Sequence, residues 1–298
     1  MLEVKGIIAP IITPMYDDES INFDEFRNQI DRLIASGIHG IFVFGTNGES
    51  YILSENEKLQ VIQVAVEHTA GRVPVYVGTG LNGTRGTIRF SKKVEELGVD
   101  ALSIITPSFA VASQDELYEH FKLVAEAVDL PIILYNIPAR TGNMLAPETV
   151  GKLSEISNIV GIKDSSGNFD TILQYIEHTR NNEQFVVLSG NDSLILWTLL
   201  AGGAGAIAAC SNVYPLTMVQ IYEQFIAGDI QTSRQYQDSI RSFRNCFRFG
   251  NPNTIVKYAV AELGYPVGKA RAPFNHLSEE GFEALREVIA ENKNQGMQ

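Results

Sequence analysis

The sequence predicts an α/β protein: a closed (β/α)8 TIM barrel followed by a C-terminal helical extension. Three observations predict it. Apolar runs of strand length recur eight times, at intervals of about 20 to 35 residues. The segments between them carry helical periodicity. The runs are apolar on both faces rather than alternating, as in a parallel sheet covered by helices. Eight such units in about 210 residues, with no break in composition, fit one closed barrel. An open doubly wound sheet is the other arrangement of the same pattern.

In order, the strand candidates are "GIIAPIITP" (6–14), "GIFVFG" (40–45), "VPVYVGTG" (73–80) and "ALSIITP" (101–107). "PIILYNIP" (131–138), "IVGIKDS" (159–165), "FVVLSGN" (185–191) and "GAIAAC" (205–210) follow. Between the first two, "NFDEFRNQIDRLIAS" (22–36) sets Phe23, Phe26, Ile30, Leu33 and Ile34 at helical spacing. "SENEKLQVIQVAVEH" (54–68) opens on Ser54 with Glu57 three residues on, the pattern of a capping box. "SQDELYEHFKLVAEAV" (113–128) repeats it with Ser113 and Glu116. Past the eighth strand, helical segments near 215–226, 230–248, 253–262 and 279–290 exceed what a barrel needs. Residues 1–227 therefore read as the catalytic barrel and 228–298 as a C-terminal helical region. The polar tail "ENKNQGMQ" is expected to fray.

Composition narrows the function. The chain of 298 residues is 45% hydrophobic and 19% charged, ordinary for a folded soluble enzyme. No apolar run approaches the ~20 residues of a membrane span. "MLEVKGIIAP" has neither an apolar export region nor a cleavage site. A net charge of −12 with scattered Lys and Arg argues against nucleic acid and anionic lipid, which require a basic patch. An anionic small substrate stays open. Cys210 and Cys246 make no disulfide framework, so a reducing cytoplasm is the expected home. The five histidines lack ligand spacing, and no metal is expected.

The chemistry gathers at strand ends, where barrel active sites form. In "NIVGIKDSSGN" (158–168), alternation turns Ile159, Gly161 and Lys163 inward and leaves empty space at Gly161 beneath the lysine. Apolar walls disfavour the charged amine, and a neutral lysine there forms an imine with a ketone. The bland alternative is a lysine snorkelling to solvent. In "PIILYNIPARTG" the same parity turns Tyr135 inward, a phenol able to shuttle protons beside that imine, or else a core aromatic. Arg140 follows in the loop, where it either forks onto a substrate carboxylate or stays in solvent. "GTNGES" (45–50) ends strand two; Gly45, Thr46 and Asn47 there offer backbone N–H groups, a hydroxyl and an amide to a carboxylate.

"GTNGES", "YNIPARTG", "GIKDSSGN" and "LSGND", in this order and spacing, resemble the dihydrodipicolinate synthase / N-acetylneuraminate lyase family of pyruvate-dependent class I lyases. The likeness runs from "GIIAPIITP" through "KARAPF". It implies a (β/α)8 barrel with a helical extension, a homotetramer built as a dimer of dimers, and no metal or organic cofactor. It implies that Lys163 forms the Schiff base with pyruvate or another 2-oxo acid, that Tyr135 is the general acid/base and that Thr46 relays protons. Asn47 with Thr46 would hold the pyruvate carboxylate, the Ile207 carbonyl would line the pocket, and Arg140 matches the arginine that receives the carboxylate of aspartate semialdehyde.

Two departures bear on specificity. Asn47 stands where the synthases have a second threonine. "TPSFAVAS" puts Ser108 and Phe109 where they have two tyrosines, one of which reaches a neighbouring subunit's site. Phe109 has no proton to pass. Glu55, Lys58, Gly86 and Ser108 likewise differ from the family's lysine-feedback site, so that regulation is not expected. The leading expectation is a Schiff-base lyase or aldolase joining pyruvate to an aldehyde, or releasing it. The alternatives are a 2-keto-3-deoxy sugar acid or 4-hydroxy-2-oxoglutarate aldolase, a 2-oxo acid dehydratase or deaminase, and a non-catalytic binding protein, against which both Lys163 and Tyr135 count.

Overall fold

The computed structural model describes residues 2–298. Strands and helices alternate as β1 (Gly6–Pro10), α1 (Phe23–Ala35), β2 (Gly40–Val43), α2 (Glu55–Thr69), β3 (Val75–Gly78) and α3 (Thr84–Glu95). They continue as β4 (Ala101–Ile105), α4 (Gln114–Ala125), β5 (Ile132–Asn136), α5 (Pro138–Thr141), α6 (Pro147–Leu153), β6 (Ile159–Asp164) and α7 (Phe169–Thr179). β7 (Val186–Ser189), α8 (Ile195–Leu200) and β8 (Gly205–Ile207) complete the sheet. The eight strands join in chain order into a closed barrel, and the strands are buried almost throughout, as their two-sided apolarity requires. After it come α9 (Pro215–Ile226), α10 (Ile230–Ser239), α11 (Arg241–Asn245), α12 (Pro252–Glu262) and α13 (Glu279–Asn294). The strands are shorter than the apolar runs because the residues beyond them leave the ladder for loops. β2 ends where Phe44 takes a left-handed φ of 66°.

The chain divides into two compact units. One holds Pro74–Ile207 with the residues through Gly6. In it β4, β5, β6 and β7 pair in parallel, with Tyr135 opposite Lys163 and Lys163 opposite Leu188. The β5–β6 register shifts between Ile132 and Ile133, so that Ile132 pairs with Ile159 while Ile133 pairs with Gly161. Registered partners share a face. The alternation expected from Ile159 therefore breaks at this irregularity and runs regularly only from Gly161 to Lys163. Gly161 also serves a purpose other than the expected one. A Cβ there would lie 2.7 Å from the Val186 carbonyl and 2.8 Å from its Cγ2. The missing side chain lets β7 approach; it does not open a space beneath Lys163.

The other unit holds Ile7–Val73 with Ala208–Gln298. Its α2 starts on the expected capping box, with both the Ser54 and Glu57 bonds made, as does α4 with Ser113 and Glu116 in the first unit. The single helix expected over 230–248 is broken into α10, α11 and a 3-10 turn at Cys246–Phe249. The tail does not fray. α13 runs to Asn294, and buried Asn292 donates to the Tyr214 hydroxyl at 3.1 Å and accepts from Ser242 Oγ at 2.9 Å. The Gln298 carbonyl accepts from the Thr217 N–H at 2.7 Å, anchoring the last residue.

Candidate active site

β5 and β6 deliver the lysine and the phenol side by side. Lys163 Nζ lies over the Tyr135 ring, 4.0 Å from its centroid, and each residue is 5% exposed. Asn136 and Asp164, the next residue of each strand, point the opposite way, where Asn136 Oδ1 accepts from the Leu145 N–H at 3.1 Å ahead of α6. That side is the helix layer, so Tyr135 and Lys163 face the barrel interior. The Tyr135 ring is one wall beside the amine; its face attracts a cation by ~0.5–2 kcal/mol and keeps the phenol beside the nitrogen.

Two supports of this pair carry no signal in the strand pattern. Asn136 Nδ2 donates to Asp164 Oδ1 at 2.7 Å, bolting β5 to β6 one residue beyond the Tyr135–Lys163 pair. Ser166 Oγ holds Asp164 Oδ2 at 2.6 Å. Burial pushes the Asp164 carboxyl up from its usual range, and the bonds from Ser166 and Asn136 pull against it. The second support is Gly190 of "LSGND". A Cβ there would sit 2.9 Å from Lys163 Cε, 2.9 Å from the Asp164 carbonyl and 2.0 Å from Ser165 Oγ. Only glycine leaves room for the lysine stem. The motif was visible in the sequence, but the contact that explains it is not.

The remaining candidates of this unit lie at or just beyond the ends of β4, β5 and β8. Arg140 is exposed in α5, a single helical turn where a loop was expected. Phe109 is 99% exposed at a φ of 79°, and its N–H donates to the Thr141 carbonyl at 3.3 Å, which joins the loop after β4 to α5. Ile207 ends β8 and is buried; alternation from Gly205, which pairs with Leu188, puts it on the face of Lys163.

In the second unit the turn after β2 is closely held. Gly48 N–H donates to the Gly45 carbonyl at 3.1 Å and Glu49 N–H to the Thr46 carbonyl at 3.2 Å, so these two donors are committed inside the turn. A Cβ at Gly45 would press on the Phe42 ring at 2.8 Å. Thr46 is half-buried. Asn47 is 5% exposed, and its Oδ1 is buried with no hydrogen-bond partner among the described residues. A buried amide oxygen left unpaired costs ~1–3 kcal/mol unless something pairs with it. Among the described residues no group of three or more His, Cys, Asp or Glu is placed to hold a metal ion, and no helix is long and apolar enough to cross a membrane.

Comparison with known proteins agrees with this arrangement. Residues 3–292 match the model of the Dihydrodipicolinate synthetase family. The chain is 40% identical over 290 residues to a 4-hydroxy-tetrahydrodipicolinate synthase of Methanopyrus kandleri, covering 96% of each. It is similar to the crystal structure of dihydrodipicolinate synthase from Thermotoga maritima, with a TM-score of 0.94, 31% identity, and coverage of 97% and 98% of the two chains. It is also similar to an Escherichia coli prophage protein of the dihydrodipicolinic acid synthase family, solved in complex with pyruvate, with a TM-score of 0.93, 32% identity, and coverage of 97% and 98%. A lysine and a phenol facing each other inside a closed barrel, on a chain matched almost end to end, lead to one assignment: this protein belongs to the dihydrodipicolinate synthetase family and is a lyase of the class I Schiff-base type.

Proposed function

We propose that the protein condenses pyruvate with an aldehyde through an imine on Lys163, and that the partner aldehyde carries a carboxylate, as aspartate semialdehyde does. The Lys163 amine attacks C2 of pyruvate; the carbinolamine loses water to give the imine. The imine draws electrons from C3, which gives up a proton and becomes an enamine. The enamine attacks the aldehyde carbon, the alkoxide takes a proton, and water releases the product and the amine. Tyr135 supplies and removes these protons as general acid/base, and Thr46 relays them. Asn47, through its amide N–H, holds the pyruvate carboxylate together with the backbone at Gly45. The Ile207 carbonyl lines the pocket, and Arg140, which projects into solvent from α5, receives the second carboxylate. Neither a metal nor an organic cofactor has a role.

The observation that carries this reading is the buried Lys163 amine 4.0 Å above the Tyr135 ring. Eight relatives at 36–40% identity carry the name 4-hydroxy-tetrahydrodipicolinate synthase, which favours this condensation over the sugar-acid aldolases and the dehydratases. Residues 1–227 do the chemistry and 228–298 support it. Phe109, displayed on a loop, supports contact with a second copy of the chain, and the assembly is a homotetramer of the cytoplasm. Borohydride added with pyruvate tests the central step: it fixes an adduct of pyruvate mass on Lys163. An unmodified Lys163 in folded protein rejects the imine.

A further inference from the structure

Glu49, in "GTNGES", is buried in an ion pair that the chemistry so far does not use. Its Oε1 lies 2.5 Å from Lys257 Nζ of α12, and both side chains are 0% exposed. The Lys257 ammonium donates to the Lys269 carbonyl at 3.0 Å, and Glu49 Oε2 accepts from the Arg271 N–H at 2.8 Å. The Arg271 guanidinium then grips Glu57 Oε1 at 2.7 Å and Oε2 at 3.3 Å, and the Glu19 carbonyl at 2.6 Å. The turn after β2, α12 and residues 269–271 thus meet at one carboxylate, all within one unit.

Such a pair is a poor source of stability, because desolvating both charges offsets their attraction. Burial pushes the Lys257 ammonium down from its ordinary range, against the upward pull of Glu49. Placement is what the pair supplies. Glu49 has a φ of 58°, a left-handed conformation costly for a side-chain-bearing residue, and its N–H holds the Thr46 carbonyl. Thr13 Oγ1 holds the carbonyl of the preceding residue, Gly48, at 2.9 Å. The carboxylate therefore pins a residue whose backbone holds Thr46.

We infer that the buried Glu49–Lys257 pair, with the Arg271 N–H, is a positioning device that holds the Thr46–Asn47 turn ready for the carboxylate of the 2-oxo acid. The C-terminal helices act on substrate binding through it. This rests on the roles proposed above for Lys163 and for Thr46–Asn47.

The test is made on the full chain with pyruvate. Lys257→Met strands the carboxylate, Lys257→Arg keeps the charge, and Glu49→Gln with Lys257→Met removes both charges at similar volume. Ile289→Ala, in the core side of α13, supplies a variant of lowered Tm away from the turn. Lys257→Met and the double variant are expected to raise the pyruvate KM tenfold or more, with a smaller change in kcat. The double variant is expected to recover Tm but not KM, and Lys257→Arg to recover most of KM. A double variant with wild-type KM overturns the inference, as does an equal rise in KM for Ile289→Ala. Should Lys257→Met fail to fold, the double variant decides. Wild-type protein that gives no pyruvate adduct on Lys163 fails at the earlier step, before any variant is compared, and takes this inference with it.

Discussion

Gly190→Ala is the sharpest probe of the lysine's surroundings, because the structure says how far the lysine must move. The added Cβ would sit 2.9 Å from Lys163 Cε. Ordinary carbon–carbon contact is about 3.5–4.0 Å, so Cε has to yield by roughly 0.6–1.1 Å. Ser165 Oγ, at 2.0 Å, escapes by rotating, but the Asp164 carbonyl at 2.9 Å is backbone and does not. Overpacking of this kind costs about 1–3 kcal/mol of stability. A reacting group displaced by about 1 Å loses on the order of 10²-fold in rate. Time-resolved borohydride trapping with pyruvate, followed by intact mass, should show adduct formation on Lys163 slowed by ~10²-fold in protein whose circular dichroism is unchanged. Gly83→Ala is the companion variant, since a Cβ there meets nothing within 4 Å, and it should trap pyruvate at the wild-type rate. Trapping by Gly190→Ala within twofold of wild type would refute the account of Gly190 as the room the lysine needs.

Three further outcomes are expected. Tyr135→Phe keeps the ring under the amine but removes the hydroxyl, so turnover should fall by ~10²-fold or more with little change in Tm; near-normal kcat would remove the phenol from the mechanism. Arg140→Ala should weaken a carboxylated aldehyde by roughly 10- to 100-fold in kcat/KM, the worth of a charge-assisted bond of ~1.5–3 kcal/mol, and leave neutral aldehydes nearly unaffected; equal losses would make the arginine structural. The hydrogen bonds from Arg271 hold the Glu57 carboxyl at about 2, below its ordinary 4.5. Its contribution to stability is therefore complete above pH 4.5 and is lost as pH falls from there towards 2. Tm scans from pH 6 to pH 2 should show Glu57→Gln losing less Tm over that acid limb than wild type, and parallel curves would count against the pair.

The sequence made the barrel and the inward placement of Tyr135 and Lys163 legible for the same reason: both are local. Two-sided apolar runs, capping boxes at Ser54 and Ser113, and the period-two alternation of a strand are written in neighbouring residues. Lys163 and Tyr135 could be aimed inward from their own strands alone. The errors fall where a distant residue decides. Within its own strand Gly161 implies a space, but Val186 of the next strand fills it, and a register shift at Ile132–Ile133 cancels the alternation from Ile159. The tail looked too polar to dock, yet Thr217, far upstream, receives Gln298. Glu49 is the extreme case, since its bond to the Arg271 N–H spans 222 positions and leaves no periodic trace. Lys257 on α12 sits among apolar neighbours much as Lys163 does on β6, and each is almost wholly buried. What separates the lysine proposed to react from the structural one is the partner it meets. Lys257 meets a carboxylate that keeps it occupied as an ion pair. Lys163 lies over the ring of Tyr135, whose phenol is a group able to move protons at an amine and at the carbinolamine it forms. Burial alone is shared by the two lysines, and the group each amine faces, a carboxylate for Lys257 and a phenol-bearing ring for Lys163, is what tells them apart.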